Sequence, residues 1–152
     1  MSADLDFHIR GAQVDDVPAW AVLRLALWPD ADQPLEEATA LLAKQQACAL
    51  VAVDGQGALL DFAEASVRHE YVNGTDEAPV GFLEAWYVSP SARGRGVGRA
   101  LVQAVMAWTR TQGCGELASD AALDNLDAHA AHARCGFTET ERVVYFRMVL
   151  AP

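Results

Sequence analysis

The sequence is poor in cysteine, in basic residues and in long apolar runs, and each shortage excludes a class of protein. Its 152 residues include three cysteines, an odd number without a metal-ligand spacing such as Cys-x-x-Cys, so we expect buried free thiols and no metal site. No apolar run approaches the roughly 20 residues of a membrane helix. The acidic, polar start of the chain is unlike a signal peptide. We therefore expect a cytoplasmic chain without a membrane partner.

Positive charge is scarce and unevenly placed. The chain has 11 Lys and Arg residues against 21 Asp and Glu residues, a formal net charge of −10. This balance argues against nucleic acid, because phosphate binding needs a basic surface. It favours a cationic partner, although acidity that merely aids solubility explains it equally well. Three of the few basic residues (Arg93, Arg95 and Arg99) cluster in one short segment, which suggests two ligands of opposite charge.

Hydrophobic periodicity and turn residues predict a mixed α/β sheet in one domain over residues 1–152. Hydrophobic residues make up 52% of the chain, enough for a substantial core. The predicted order is strand, two helices, three strands, helix, strand, helix, strand. The corresponding segments are 7–10, 15 or 16 to 28, 35–47, 49–53, 58–68, 80–88, 98–112, 116–121, 124–135 and 142–150. Asp124 is the predicted N-cap of the last helix.

The stretch from Val88 to Leu101 is the most informative part of the sequence. A strand ends, a turn with Gly94, Gly96 and Gly98 follows, and a helix begins. Glycines let backbone N–H groups converge on one point, and a helix N-terminus adds about half a positive charge there. Such a turn suits a pyrophosphate. Its spacing matches neither the dinucleotide fingerprint G-x-G-x-x-G nor a P-loop, and an ordinary Gly-rich loop with exposed arginines is the alternative.

The same turn resembles the coenzyme A site of the GNAT superfamily, whose pattern is Arg/Gln-x-x-Gly-x-Gly/Ala. Asn125 at a helix start and Gly136-Phe137 after that helix resemble the family as well. The resemblance implies the GNAT fold, a central, mostly antiparallel sheet with splayed strands flanked by helices, and acetyl-CoA as co-substrate. Asn125 is alternatively a simple helix cap. The cofactor residues that the resemblance implies are Trp86, Tyr87, Val88, Arg93, Gly94, Arg95, Gly96, Val97, Gly98, Arg99 and Asn125.

One position departs from the family pattern. Many GNAT enzymes carry a tyrosine four residues before the terminal glycine, where it protonates the leaving thiolate. This sequence has His132 there. A histidine can perform the same proton transfer near neutral pH. The alternative is a histidine on the helix surface or in the core.

Several longer phrases look like the aminoglycoside 6′-N-acetyltransferases, and this resemblance spans about residues 7–150. The phrases are 25–29, 68–74, 82–84, 118–120 and 140–146. Aminoglycosides are polycationic sugars, so their site needs carboxylates and an aromatic wall. The resemblance implies that Trp28 and Tyr71 form the wall, and that Glu84, Asp120 and Glu141 hold ammonium and hydroxyl groups. A carboxylate within an apolar strand, as at Glu84, is costly without a partner.

These assignments imply acetyl transfer by direct attack of the acceptor amine in a ternary complex, which confers antibiotic resistance. Asp120 or Glu84 favours or relays loss of the amine's proton, and a backbone N–H near Val88 stabilises the oxyanion. His132 or solvent then protonates the thiolate. No metal is expected. The resemblance also implies a homodimer in which the last strand, 142–150, packs across or exchanges between subunits.

Two other functions remain open from the sequence alone. Acetylation of polyamines or protein amino groups fits the acidic composition too. A catalytically silent CoA-binding sensor also fits the turn, but it leaves a carboxylate-lined acceptor site unexplained. DNA binding is a poor third, because no helix carries clustered basic residues.

Overall fold

The structure, a computed structural model, describes residues 6–152. The prediction about a signal peptide concerns the first residues of the chain and lies outside this range. Within residues 6–152, five strands and four α-helices form the fold. They are β1 (Phe7–Gly11), α1 (Val17–Leu27), α2 (Pro34–Ala43), β2 (Ala47–Asp54), β3 (Leu59–Arg68), β4 (Val80–Val88), α3 (Val97–Thr111), β5 (Leu117–Ser119) and α4 (Leu126–Arg134).

The strands form one sheet in the order β1-β2-β3-β4-β5. The strands β1 to β4 pair with one another in antiparallel fashion, whereas β5 runs parallel to β4. The two parallel strands pair only where Gly81–Leu83 face Leu117–Ser119. Beyond this point β4 continues to Val88 without β5, so the strands splay. The predicted mixed sheet with splayed strands is therefore confirmed.

The two faces of the sheet bury separate cores, because side chains alternate along a strand. On one face Ala63 and Ala65 of β3 belong to the same core as Leu101 and Val105 of α3. On the other face Phe62 shares a core with residues of α1 and α2. The helices thus cover the sheet from both sides. Alternate residues of a strand share a face, so Glu64, Ser66 and Arg68 lie on the same face as Phe62, under α1 and α2.

A β-bulge interrupts the pairing of β3 with β4. Glu64 faces Ala85 and Ala65 faces Leu83, which leaves Glu84 as the extra residue of β4. A bulge of this kind bends the strand and redirects a side chain. It lies at the edge of the region where β4 and β5 part.

The predicted final strand is wrong for the described chain. Residues 138–152 contain no helix or strand, and the large apolar side chains in 144–150 are mostly in solvent, with Phe146 93% exposed. The physical reason is that a strand needs a partner edge. In this structure residues 142–150 pair with no strand of the described sheet, β5 included.

Smaller differences concern helix ends. Asn125, not the predicted Asp124, caps α4, and its side-chain oxygen accepts the N–H of Ala128 at 3.1 Å. The second helix ends at Ala43, four residues before the predicted end, because β2 already begins at Ala47. Among residues 6–152, no helix has the length and apolar character needed to cross a membrane.

Candidate active site

The turn after β4 has the backbone geometry of an anion site. Gly94 and Gly96 have φ of 75° and 85°, in the left-handed region that favours glycine. Gly96 is the N-cap of α3, and the first N–H groups of a helix have no partner within the helix. These donors and the helix dipole face the end of β4. The turn therefore fits a pyrophosphate.

Gly98 is needed for close packing in the first turn of α3. A Cβ atom at this position would lie 3.0 Å from Cγ2 of Val88 and 3.3 Å from Cζ2 of Trp86. A side chain here would push the helix N-terminus away from the end of β4. The glycine pattern thus keeps the anion site beside the splayed part of the sheet, as a coenzyme A cleft requires.

The arginines of the turn differ in their contacts. Arg93 donates from Nε to the carbonyl oxygen of Val88 at 3.0 Å, which closes the turn. Arg99 donates from Nη2 to the carbonyl oxygen of Arg134 at 2.6 Å and so ties α3 to the end of α4. Arg95 is exposed between two glycines. Together they make a cationic rim around the turn in an otherwise acidic chain.

A buried carboxylate beneath the turn escaped the sequence analysis. Asp61 of β3 is completely buried, and its Oδ1 accepts the N–H of Ser89 at 2.5 Å. Burial raises the pKa of this carboxyl group above its usual value, although the Ser89 N–H acts in the opposite direction. Asp61 thereby fixes the first residue after β4. The signal that could have found it is an aspartate within an otherwise apolar strand.

The splay exposes one backbone edge of β4. Residues Trp86, Tyr87 and Val88 pair with Ala63, Phe62 and Asp61 of β3 on one side only. The other edge lies where β5 has already ended. Backbone N–H and C=O groups on such an edge are available to form hydrogen bonds with a bound molecule. The role of these residues in holding an extended cofactor arm stays a prediction.

His132 is held on both sides of its ring. Its Nδ1 lies 2.7 Å from the carbonyl oxygen of Ala128, and its Nε2 lies 2.8 Å from Oγ of Ser119. A carbonyl only accepts, so Nδ1 carries a proton and, in the neutral ring, Nε2 accepts the hydroxyl of Ser119. The ring also packs edge-on against Trp86 and Phe137, with centroids 5.2 and 5.1 Å apart.

A cavity of about 920 Å³ opens between the segment 68–75, the end of β5 and the segment 136–145. Its size suits a drug-sized ligand. Three predicted acceptor residues, Tyr71, Asp120 and Glu141, line it, whereas Trp28 and Glu84 lie outside its lining. The cavity reaches the Ser119–His132 pair, where β4 and β5 part. It therefore meets the splayed cleft.

Two exposed segments build the outer wall of this cavity. Gly74 packs so closely on the segment 136–145 that a Cβ atom there would lie 2.0 Å from Oγ1 of Thr140. The base of the first segment is anchored by Glu116, whose carboxylate accepts the N–H groups of Asp76 and Glu77 at 2.9 and 2.7 Å. The wall is thus held by a few local contacts.

Glu84 has a full set of partners on the face of the sheet that α1 and α2 cover. Ser66 donates to its Oε1 at 2.6 Å, and Arg68 donates from Nε and Nη2 to its two oxygens at 2.9 and 2.6 Å. Burial alone would raise the pKa of Glu84, but these hydrogen bonds outweigh it and hold the pKa below the usual value. The partner that a carboxylate in this strand requires is Arg68.

Trp28 stands at the end of α1, where a buried ion pair supports it. The guanidinium of Arg24 lies 5.0 Å from the Trp28 ring centroid. Arg24 is buried and bonded to Glu64, which also accepts Nε1–H of Trp20 at 3.0 Å, and to Glu37 at 2.9 Å. This cluster is not among the predicted residues, because a lone arginine on an amphipathic helix has the pattern of a solvated residue.

Comparison with known proteins gives a consistent result. The family model "Acetyltransferase (GNAT) family" matches residues 14–137. An aminoglycoside N(6′)-acetyltransferase type 1 from Stenotrophomonas maltophilia is 59% identical over 95% of this chain and 94% of its own length. One from Acinetobacter genomosp. 13 is 50% identical over 84% of this chain and 88% of its own length.

Solved structures agree in fold. The aminoglycoside 6′-N-acetyltransferase AAC(6′)-Ih from Acinetobacter baumannii superposes with a TM-score of 0.91 at 41% identity, over 95% of this chain and 99% of that one. AAC(6′)-Iy in complex with the bisubstrate analogue CoA-S-monomethyl-acetylneamine superposes with a TM-score of 0.90 at 38% identity, over 95% and 99%. With its splayed sheet, its glycine turn and these relatives, the chain belongs to the acetyltransferase (GNAT) family and is similar to its aminoglycoside 6′-N-acetyltransferases.

Proposed function

We propose that this protein transfers the acetyl group of acetyl-CoA to the 6′-amino group of aminoglycosides and so confers resistance to them. The observation that carries the proposal is the meeting of two sites. A cavity lined by Asp120 and Glu141 reaches the point where β4 and β5 part, and β4 continues from there to the anion-binding turn. An acidic acceptor site thus opens onto a cofactor cleft.

The residues of the chain have separate tasks in this reaction. Acetyl-CoA, when bound, supplies an activated thioester. The turn from Gly94 to Arg99 holds its phosphates, the free edge of β4 from Trp86 to Val88 aligns its arm, and Asn125 supports the cleft. Holding the amine beside the thioester accounts for a large part of the rate.

On the acceptor side, Asp120 and Glu141 bind ammonium groups and Tyr71 packs against a sugar ring. Asp120 also favours loss of the proton from the reacting amine, because it follows β5 directly at the splay. Trp28 lies outside the cavity lining, and its part in the aromatic wall stays a prediction. Glu84 contributes through Arg68. In its imidazolium form, His132 donates from Nε2 to Oγ of Ser119, whose hydroxyl proton passes to the leaving thiolate and leaves the ring neutral.

Product analysis tests the proposal. Acetyl-CoA is offered with aminoglycosides that carry a 6′-amine, matched analogues that carry a 6′-hydroxyl, polyamines and peptides. We expect acetylation of the first group alone, at the 6′-nitrogen, by mass spectrometry and NMR. An acetyl group on another ring, preferential acetylation of polyamines or peptides, or CoA binding without turnover would overturn it.

We further propose that the chain forms a homodimer and acts in the cytoplasm, where acetyl-CoA is available. The support for a dimer is the segment 143–150, which exposes Val144, Tyr145, Phe146 and Met148. Large exposed apolar patches mark interaction sites. The free edge of β5 in a second copy offers the backbone partner that this β-branched, aromatic segment lacks.

Light scattering at micromolar concentration tests the dimer. The wild type is expected at twice the monomer mass, and Phe146→Asp is expected to shift it toward monomer. Val22→Asp, which adds the same charge at an exposed apolar residue of α1, is the matched control. A monomeric wild type contradicts the proposal.

A further inference from the structure

Next to Glu84, the acceptor cavity is lined by a positively charged side chain, that of Arg68. Arg68, Phe82 and Asp120 line the cavity, and Glu84 does not. The guanidinium of Arg68 lies 3.5 Å from the centroid of the Phe82 ring and is bonded to both oxygens of Glu84. A ligand in the cavity therefore meets the Arg68 guanidinium in front of the Glu84 carboxylate.

Arg68 is fixed in this position from two directions. A bidentate pair holds its orientation, and the aromatic face of Phe82 supports its plane. Ser66 donates to the same carboxylate at 2.6 Å, so Glu84 accepts three hydrogen bonds in all. A guanidinium held in this way presents its remaining N–H groups to the cavity at a defined place.

The charge of Arg68 divides the cavity into two kinds of surface. An ammonium group is attracted by Asp120 and Glu141 but repelled by Arg68. A hydroxyl or ring oxygen, by contrast, accepts a hydrogen bond from the guanidinium. The total charge of the site attracts a polycation, while one wall favours an uncharged, oxygen-bearing part of it.

We propose that Arg68 is a specificity-determining residue, which selects acceptors with a hydroxyl or ether oxygen, and rejects those with an ammonium group, at the sugar position that it contacts. The proposal rests on the proposed function. In this proposal Glu84 does not bind an ammonium group directly, because its carboxylate orients Arg68 and Arg68 lies between it and the ligand.

The test compares acceptor pairs that keep the 6′-amine and differ elsewhere by one amine in place of a hydroxyl. For each pair the ratio of kcat/KM for the amine form to that for the hydroxyl form is measured. Because both kcat/KM values in a ratio come from the same enzyme, a loss of overall activity lowers both and leaves the ratio unchanged. In Arg68→Met the freed carboxylate of Glu84 is expected to raise this ratio by roughly tenfold at one position, as for a hydrogen bond to a charged group.

Two further variants separate charge from shape. Arg68→Lys keeps the cation, so its ratio is expected to stay near the wild-type value. The double variant Arg68→Met with Glu84→Gln removes both charges, so its ratio is expected to fall below that of Arg68→Met. Equal ratios in all four enzymes, for every pair, would overturn the inference. A wild type that acetylates no 6′-amine would instead overturn the proposed function.

Discussion

At the scale of single residues, the two carboxylates proposed for proton transfer, Glu84 and Asp120, have different surroundings. Glu84 accepts three hydrogen bonds, and its pKa lies below the usual value. Asp120 is exposed at the end of β5 and faces the cavity. A carboxylate whose pKa is depressed by bound donors is a poor proton acceptor. We therefore expect the reaction to depend more directly on Asp120.

Asp120→Asn is expected to lower kcat by roughly 10²–10⁴, the usual loss when acid–base assistance is removed. Glu84→Gln is expected to act mainly on the KM of the acceptor, because it disturbs the position of Arg68. Steady-state kinetics with one 6′-amine acceptor measures both variants. A fall in kcat confined to Glu84→Gln would reverse these roles.

A second residue-scale prediction concerns the anion-binding turn. Gly96→Asp places a strained side chain and a negative charge at the N-terminus of α3, so the Kd for acetyl-CoA is expected to rise at least tenfold. Calorimetric titration measures it.

The matched control for this change is Gly113→Asp, at the other end of the same helix. Gly113 has a similar φ of 80° and open space around its Cα, as Gly96 has. It lies about 25 Å from Gly96 by helix rise. The control carries the same charge and comparable backbone strain, so equal weakening in both variants would show that helix stability, not the phosphate site, is responsible.

At the scale of elements, an ion pair fastens β1 to the start of α1. Asp16 is buried and accepts hydrogen bonds from Arg10 at 2.6 and 2.9 Å and from the N–H of Gln13 at 2.7 Å. The Arg10 hydrogen bonds, opposed by burial, hold the pKa of Asp16 below its usual value. Its folded pKa thus lies below its unfolded pKa. The stabilisation is present above about pH 4 and is lost as pH falls through the folded pKa.

Asp16→Asn is therefore expected to lower the free energy of unfolding at pH 7 by about 1–3 kcal/mol, the range for hydrogen bonds to a charged group. It is also expected to flatten the loss of stability in acid. Urea unfolding between neutral and acid pH measures both effects. Asp15→Asn, an exposed neighbour with the same charge change, is the control. Identical pH curves for Asp16→Asn and wild type would contradict the assignment.

The elements also show which features a sequence can predict. β4 has the predicted bounds, because apolar residues run up to a clear stop at Ser89-Pro90. The last segment has an equally strong strand pattern, yet pairing depends on which edge is free, and that edge can belong to another molecule. The bond between Arg68 and Glu84 was also beyond prediction, since it depends on a one-residue bulge in β4.

At the scale of the whole molecule, charge separates the two substrates. A formal net charge of −10 attracts a polycation from a distance, while the basic turn draws an anionic cofactor only locally. The KM of a polycationic acceptor is therefore expected to rise several-fold between about 50 and 500 mM salt, as the screening length shortens. The KM of acetyl-CoA is expected to change less. Initial rates at fixed pH measure both, and an equal rise would mean that global attraction has no part in acceptor capture.

The contact between Gly74 and Thr140 has a consequence for adaptation. The cofactor cleft is built from β4 and α3, whose residues Val97, Leu101 and Val105 are buried in the core. The outer acceptor wall is built from two exposed segments that meet at this contact. Substitutions in exposed loops cost little stability, whereas core substitutions cost much more. Selection by a new antibiotic can therefore reshape the wall step by step while acetyl-CoA binding and folding stay intact, and the first altered positions should lie in segments 70–75 and 138–145.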